Sequence, residues 1–123
     1  MDDSSTRDRL PPEAVELLQA LLRDDTPAHR ALRSQIPHLR VTGGCPCPCP
    51  SLDFGPAEVG EVAVEPAPVT GQPVAEAVVL DAAGQEIGGV MVFAHDGYLS
   101  NLEVYTWEDA PMAGLPAPDR LRW

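Results

Sequence analysis

Apolar residues recur at helical spacing over the first third of the chain and at strand spacing over the last third. Pro11-Pro12 opens the first helix, since proline is tolerated in a first turn, and Val15, Leu18 and Leu22, with Leu21 beside them, form its apolar stripe. Glu13 and Glu16 lie near its start, where the helix dipole favours them, whereas Asp24-Asp25 closes it poorly by the same logic. Thr26 before Pro27 is an N-cap and N1 pair for a second helix, whose stripe is Leu32 and Ile36 with Ala28 and His29 alongside, and Pro37 ends it. Residues 11–36 therefore predict a helical hairpin.

The strand pattern is strongest over Val74–Leu80, Glu86–His95 and Tyr98–Tyr105. A glycine-containing turn at Asp81-Ala82-Ala83-Gly84 joins the first two, and Asp96-Gly97, the strongest short hairpin signal, joins the last two. The middle strand is apolar on both faces, as a central strand should be, and Gly88-Gly89 within it marks a bulge or a close backbone approach. Met91 reads as core. Shorter strands are expected at His38–Val41 and Ser51–Phe54, with a further candidate at Glu61–Val64 blunted by Pro66 and Pro68.

Helices followed by an antiparallel meander define an α+β domain, with the helical hairpin packed on one face of a sheet of four or five strands. Residues 1–9 are polar and expected to be disordered, and 10–123 form the domain. Within it, 10–36 is the helical hairpin, 38–73 a Cys/Pro-rich segment with short strands, 74–105 the three-stranded meander, and 106–123 an extended, proline-rich tail lying across the domain.

Charge narrows the partners. The net charge is −11, and the chain contains no lysine. Residues 1–44 carry six arginines against seven acids, but from Val41 to Asp119 there are twelve acids and no arginine or lysine. Nucleic-acid backbones require Lys and Arg to displace counterions, so direct nucleic-acid binding is not expected, nor is binding to an anionic membrane surface. A basic protein partner is the natural complement, although acidity also serves simply to keep a small protein soluble. The acidic, polar start, Met1-Asp2-Asp3-Ser4-Ser5, has no apolar segment behind it. The cysteines are odd in number and clustered. Both features point to a reducing cytoplasm.

The chemistry-bearing residues converge on Cys45-Pro46-Cys47-Pro48-Cys49-Pro50, which holds all three cysteines. Each cysteine precedes a proline and is pushed out of the helical region, while each proline has a fixed φ, so the run is a stiff extended rod. As a strand it would place three thiols on one side at roughly 6–7 Å intervals; as polyproline it would fan them around the axis. One tetrahedral zinc site, with Zn–S bonds of about 2.3 Å, requires the rod to bend and a histidine such as His95 to fold onto it. Thiolate ligands favour zinc or Cu(I). A disulfide between alternate cysteines would be strained and redox-labile. Against these stand a loop whose cysteines act as small hydrophobes and an exposed rod read by a partner.

The order of motifs resembles an uncharacterised family of short bacterial proteins. The resemblance is carried by Val41-Thr42-Gly43-Gly44-Cys45 with alternating cysteines, by Asp96-Gly97-Tyr98-Leu99-Ser100 running into Leu102-Glu103-Val104-Tyr105, and by Leu115-Pro116-Ala117-Pro118. It covers the chain from about residue 30, implies the same fold boundaries and assigns no activity. That pattern often places glycine between the cysteines, where this chain has Pro46 and Pro48.

Among the remaining residues, His95 is a metal ligand, a base for a cysteine nucleophile, or simply a rim residue at a strand end. Glu76, Asn101 and Glu103 can share one sheet face, as acid–base chemistry needs, as one that meets a partner, or more simply as a solvated surface. No Ser/His/Asp set and no nucleotide fingerprint is present, and Gly43-Gly44 lacks the flanks of a phosphate loop. Three functions follow. The first is a non-catalytic interaction or accessory protein, of the antitoxin or immunity kind, docking on a basic partner through Glu76, Asn101 and Glu103. The second is a soft-metal or redox module built on Cys45, Cys47 and Cys49 with His95. The third is a small enzyme with a cysteine nucleophile. The charge map favours the first, and the cysteine run the second.

Overall fold

The computed structural model describes residues 10–44, 51–55, 66–68, 71–108 and 114–123. The cysteine run, the N-terminal nine residues and the candidate strand at 61–64 lie outside them. Two helices, α1 (Pro12–Leu21) and α2 (Pro27–Gln35), are followed by a 3-10 turn over Ile36–His38. The strands are β1 (Arg40–Gly44), β2 (Leu52–Gly55), β3 (Ala75–Leu80), β4 (Glu86–His95), β5 (Tyr98–Thr106) and β6 (Leu121–Arg122). They form one antiparallel sheet in the order β1-β2-β5-β4-β3-β6.

The α+β class and the N-terminal position of the helices agree with the pattern of the sequence, but the sheet has six strands, not four or five. The additional strand comes from the tail. Leu121 is buried and pairs with Val79, and Arg122 pairs with Val78. Two residues are too few for an alternation pattern to be visible.

Helix α1 buries Ala14, Leu17, Leu18 and Leu21, with Leu22 just past its end. Its buried stripe is thus rotated from the expected one, and Val15 is only half-buried. Thr26 caps α2 as expected, its hydroxyl accepting from the His29 N–H at 3.2 Å. The acidic end of α1 is compensated by Arg33, whose guanidinium donates to the carbonyls of Leu22 and, at 3.0 Å, Asp24. The inner face of the sheet, carrying Ala77, Val79, Val90, Val92, Ala94, Leu99, Leu102 and Val104, closes the core with Leu17, Leu18, Leu21, Leu22 and Leu32.

Polar side chains extend the sheet where strands run out. Gln72 pairs with both backbone groups of Ala94, donating to its carbonyl at 2.6 Å and accepting from its N–H at 3.1 Å. The Ser51 hydroxyl does the same for Val104, at 3.2 and 2.9 Å. Gln35, fully buried at the end of α2, donates to Gly97 O and accepts from Leu99 N–H, both at 2.9 Å. Each amide or hydroxyl stands where a neighbouring strand would otherwise satisfy the ladder.

The β4–β5 turn has Asp96 at φ 54° and Gly97 at φ 87°. Positive φ at both central residues is what a two-residue type I′ hairpin requires. At β3–β4 the Asp81 carboxylate ties the turn by accepting from the N–H groups of Ala83 and Gln85, each at 2.9 Å.

Candidate functional site

Alternation along the strands separates two faces of the sheet. With Val90, Val92, Leu102 and Val104 turned into the core, their neighbours Met91, Phe93, Asn101, Glu103 and Tyr105 fall on the opposite face. There Glu76 pairs with Met91, and Met91 with Glu103, so one row across three strands reads carboxylate, thioether, carboxylate. One row towards the Asp96-Gly97 turn, Phe93 pairs with Asn101, and Asn101 with Asp53. One row the other way the order is Tyr105, Gly89, Val78 and Arg122.

The three residues singled out as a partner surface, Glu76, Asn101 and Glu103, are therefore on one face. Glu76 and Glu103 are exposed and Asn101 is half-buried. Asn101 accepts from the Ser100 hydroxyl through its side-chain oxygen at 3.1 Å. The carboxylates flank an apolar strip. Met91 and Phe93 are half-buried along β4 and Tyr105 is 42% exposed. Trp107 is 56% exposed, with its ring centroid 6.3 Å from that of Tyr105. Met91 is consequently not a core residue: its strand is central, but β4 turns it away from the helices.

Gly89 allows Tyr105 to lie flat on the sheet, since a side chain at residue 89 would overlap the hydroxyl end of the tyrosine ring. The close approach anticipated at Gly88-Gly89 is thus Tyr105. A register irregularity also adjoins the pair, since Val79 is in register with Gly88 but Leu80 with Glu86, and the others fall between Val41 and Gly43 and between Phe93 and Ala94. Arg122, at the strip's far edge, is ion-paired with Glu86. Among the described residues of this face, Glu76, Glu103 and Asp53 are acidic; of its cations, Arg122 is held by Glu86, and Arg40 stands at the β1 edge, in register with Gly55.

His95 ends β4 on the rim. It is exposed and pairs loosely with the exposed Asp96, Nε2 to Oδ2 3.4 Å. Cys45, Cys47 and Cys49 lie outside the described residues, so the proposed set of Cys45, Cys47, Cys49 and His95 has no geometry. Among the described residues, no group of three His, Cys, Asp or Glu side chains is arranged to hold a metal.

Two further side chains bridge elements of the fold. His29, buried, contacts the Val74 carbonyl through Nε2 at 2.8 Å and accepts from the Asp24 N–H at Nδ1 at 3.2 Å. Arg23 stacks over the Trp123 ring, 4.0 Å from its centroid, tying the end of α1 to the C-terminus. No described helix is long and apolar enough to cross a membrane. No protein-family model matches the chain, and neither a curated protein nor a solved structure matches it.

The open apolar strip and the aromatic pair are features that the sequence reading, which places Met91 in the core, does not anticipate. Their signal was present in the parity of β4 and β5: once Val90 and Val92 are inward, Met91 and Phe93 are outward. A strand apolar on both faces reads as buried on both, which concealed an open face.

Proposed function

We propose that this is a small, acidic, non-catalytic protein of the cytoplasm that works by docking its open sheet face onto a basic protein, as an antitoxin, immunity protein or accessory subunit does. The observation that carries this reading is the row Glu76–Met91–Glu103, an apolar centre between two exposed carboxylates, with Asp53 on the same face. An apolar patch with a polar rim is the usual anatomy of an interface, and complementary charge steers encounter and selects partners.

The test is affinity capture with the wild-type chain and with a Glu76→Gln/Glu103→Gln variant, at low and high salt. The expected result is a basic partner retained by the wild type, lost at high salt and depleted with the variant. Capture that is indifferent to both salt and substitution would refute the reading.

A further inference from the structure

We propose that the partner element seated on this face is an amphipathic α-helix with an apolar stripe flanked on both sides by Arg or Lys, lying along β4. The inference rests on the docking reading above and specifies its occupant.

Width is the first reason. Glu76 and Glu103 are each in register with Met91, on the strands either side of β4. Neighbouring strands are about 4.8 Å apart, so the β3 and β5 columns, each carrying one of the two carboxylates, stand about 10 Å from one another. That is about the diameter of an α-helix with its side chains, 10–12 Å. A single extended chain laid flat is too narrow to meet both columns at once.

Chemistry is the second. The floor between the columns is Phe93, Met91 and the Tyr105 ring spread over Gly89, with Trp107 at one end. A helix presents apolar residues at i, i+3, i+4 and i+7 to such a floor, and residues on both borders of that stripe reach outward. Basic residues there meet Glu76 on one side and Glu103 on the other, with Asp53 beyond Asn101. Aromatic faces add attraction for a guanidinium, and the chain already uses this chemistry where Arg23 covers Trp123.

Charge excludes two other occupants. A second copy would bring its own Glu76, Glu103 and Asp53 against the same carboxylates. Residues 56–65 of this chain carry Glu58, Glu61 and Glu65 and no cation. Like charges brought together in an interface are costly.

Selection of displayed random peptides of about 20 residues, the length of a helix spanning a ten-residue strand, on the intact chain provides the test. The expected winners show apolar residues at helical spacing bordered by Arg or Lys, and become helical on binding. Synthesised singly, they should bind a Glu76→Gln/Glu103→Gln variant about tenfold more weakly, the value of two exposed ion pairs, and a Met91→Asp variant more weakly still. Circular dichroism establishes that both variants are folded. Basic winners without helical periodicity, still sensitive to the carboxylate variant, would overturn the helix and leave the basic-partner reading standing. Winners that are acidic or indifferent to both variants, or no enrichment at all, would overturn both. A dimer dispersed by Met91→Asp, or nuclear Overhauser contacts from residues 56–65 to Met91, would replace the helix with a second copy or with the chain's own segment.

Discussion

The side-chain oxygen of Gln35 accepts the backbone N–H of Leu99 at 2.9 Å, across 64 positions of sequence. Its amide nitrogen donates to Gly97 O, which also accepts from the Ala67 N–H at 2.8 Å. One buried amide thus brackets Tyr98 as a parallel strand would, and fastens the end of α2 to the turn of the central hairpin. The same Gly97 is enclosed by Pro66 and Ala67, whose atoms lie 2.7–3.0 Å from where a side chain would begin. Helix, hairpin and the 66–68 segment therefore meet at a single carbonyl.

Gln35→Ala should be among the most destabilising single changes in the chain. It strands the Leu99 N–H in the core and opens a cavity, at a combined cost of about 2–4 kcal/mol. Gln35→Glu should also destabilise, because it keeps an acceptor for Leu99 but loses the donor to Gly97 and buries a charge. Urea unfolding of both variants measures this, and Gln35→Ala within about 0.5 kcal/mol of wild type, the scatter of ordinary surface changes, would show that the bracket is dispensable.

Gly89→Ala should destabilise by about 1–3 kcal/mol, as overpacking does, because the new methyl meets the Tyr105 ring. In a Tyr105→Ala background the obstacle is gone. There, Gly89→Ala should become neutral or stabilising, since alanine loses less backbone entropy in a strand by about 0.5–1 kcal/mol. A double-mutant cycle by chemical denaturation reads the coupling. Equal costs in the two backgrounds would mean that the ring moves aside freely.

The fold was legible where local chemistry dictates it. Thr26-Pro27 announced a helix start and Asp96-Gly97 a type I′ turn, and both are present, because each depends on a few neighbouring atoms. What escaped depends on partners distant in sequence. Leu121-Arg122 is a strand only because Val78 and Val79 offer it an edge. Gln35 reads as a polar helix terminus until the hairpin 62 residues away arrives. Period-two parity groups Glu76, Asn101 and Glu103 on one face, as the register has them, yet reads Met91 as core, since an apolar residue on a central strand carries no sign of which layer is left open. The bridging role of His29 was likewise invisible, its carbonyl partner being 45 residues on.

Arg33→Met should shorten α1. The guanidinium reaches back to the carbonyls of Leu22 and Asp24, which follow the helix and have no intrahelical donor. Loss of two charge-assisted bonds, partly replaced by water, should cost about 1–2 kcal/mol. Backbone amide exchange should quicken in the last turn of α1 while the β4–β5 hairpin stays protected, giving a local signature that general destabilisation would not produce.

The last prediction concerns the proton on His29. Nε2 stands 2.8 Å from the Val74 carbonyl, an acceptor with no proton to give, so Nε2 must donate. Nδ1 receives the Asp24 N–H at 3.2 Å and therefore carries a lone pair. The neutral ring is fixed as the Nε2–H tautomer by its two backbone partners. It joins the start of α2 to the segment leading into β3, and so binds the helical layer to the sheet. Long-range nitrogen–proton correlation spectra should show one ring nitrogen with a proton-bearing shift at Nε2 and one with a lone-pair shift at Nδ1. His29→Ala should leave the Val74 carbonyl and Asp24 N–H unpaired and cost about 2–3 kcal/mol. His29→Gln can offer one donor and one acceptor but not at the ring's separation, and should recover only part of that loss. A spectrum averaged over both tautomers, or an alanine variant as stable as wild type, would show that the ring fills space and does not bridge.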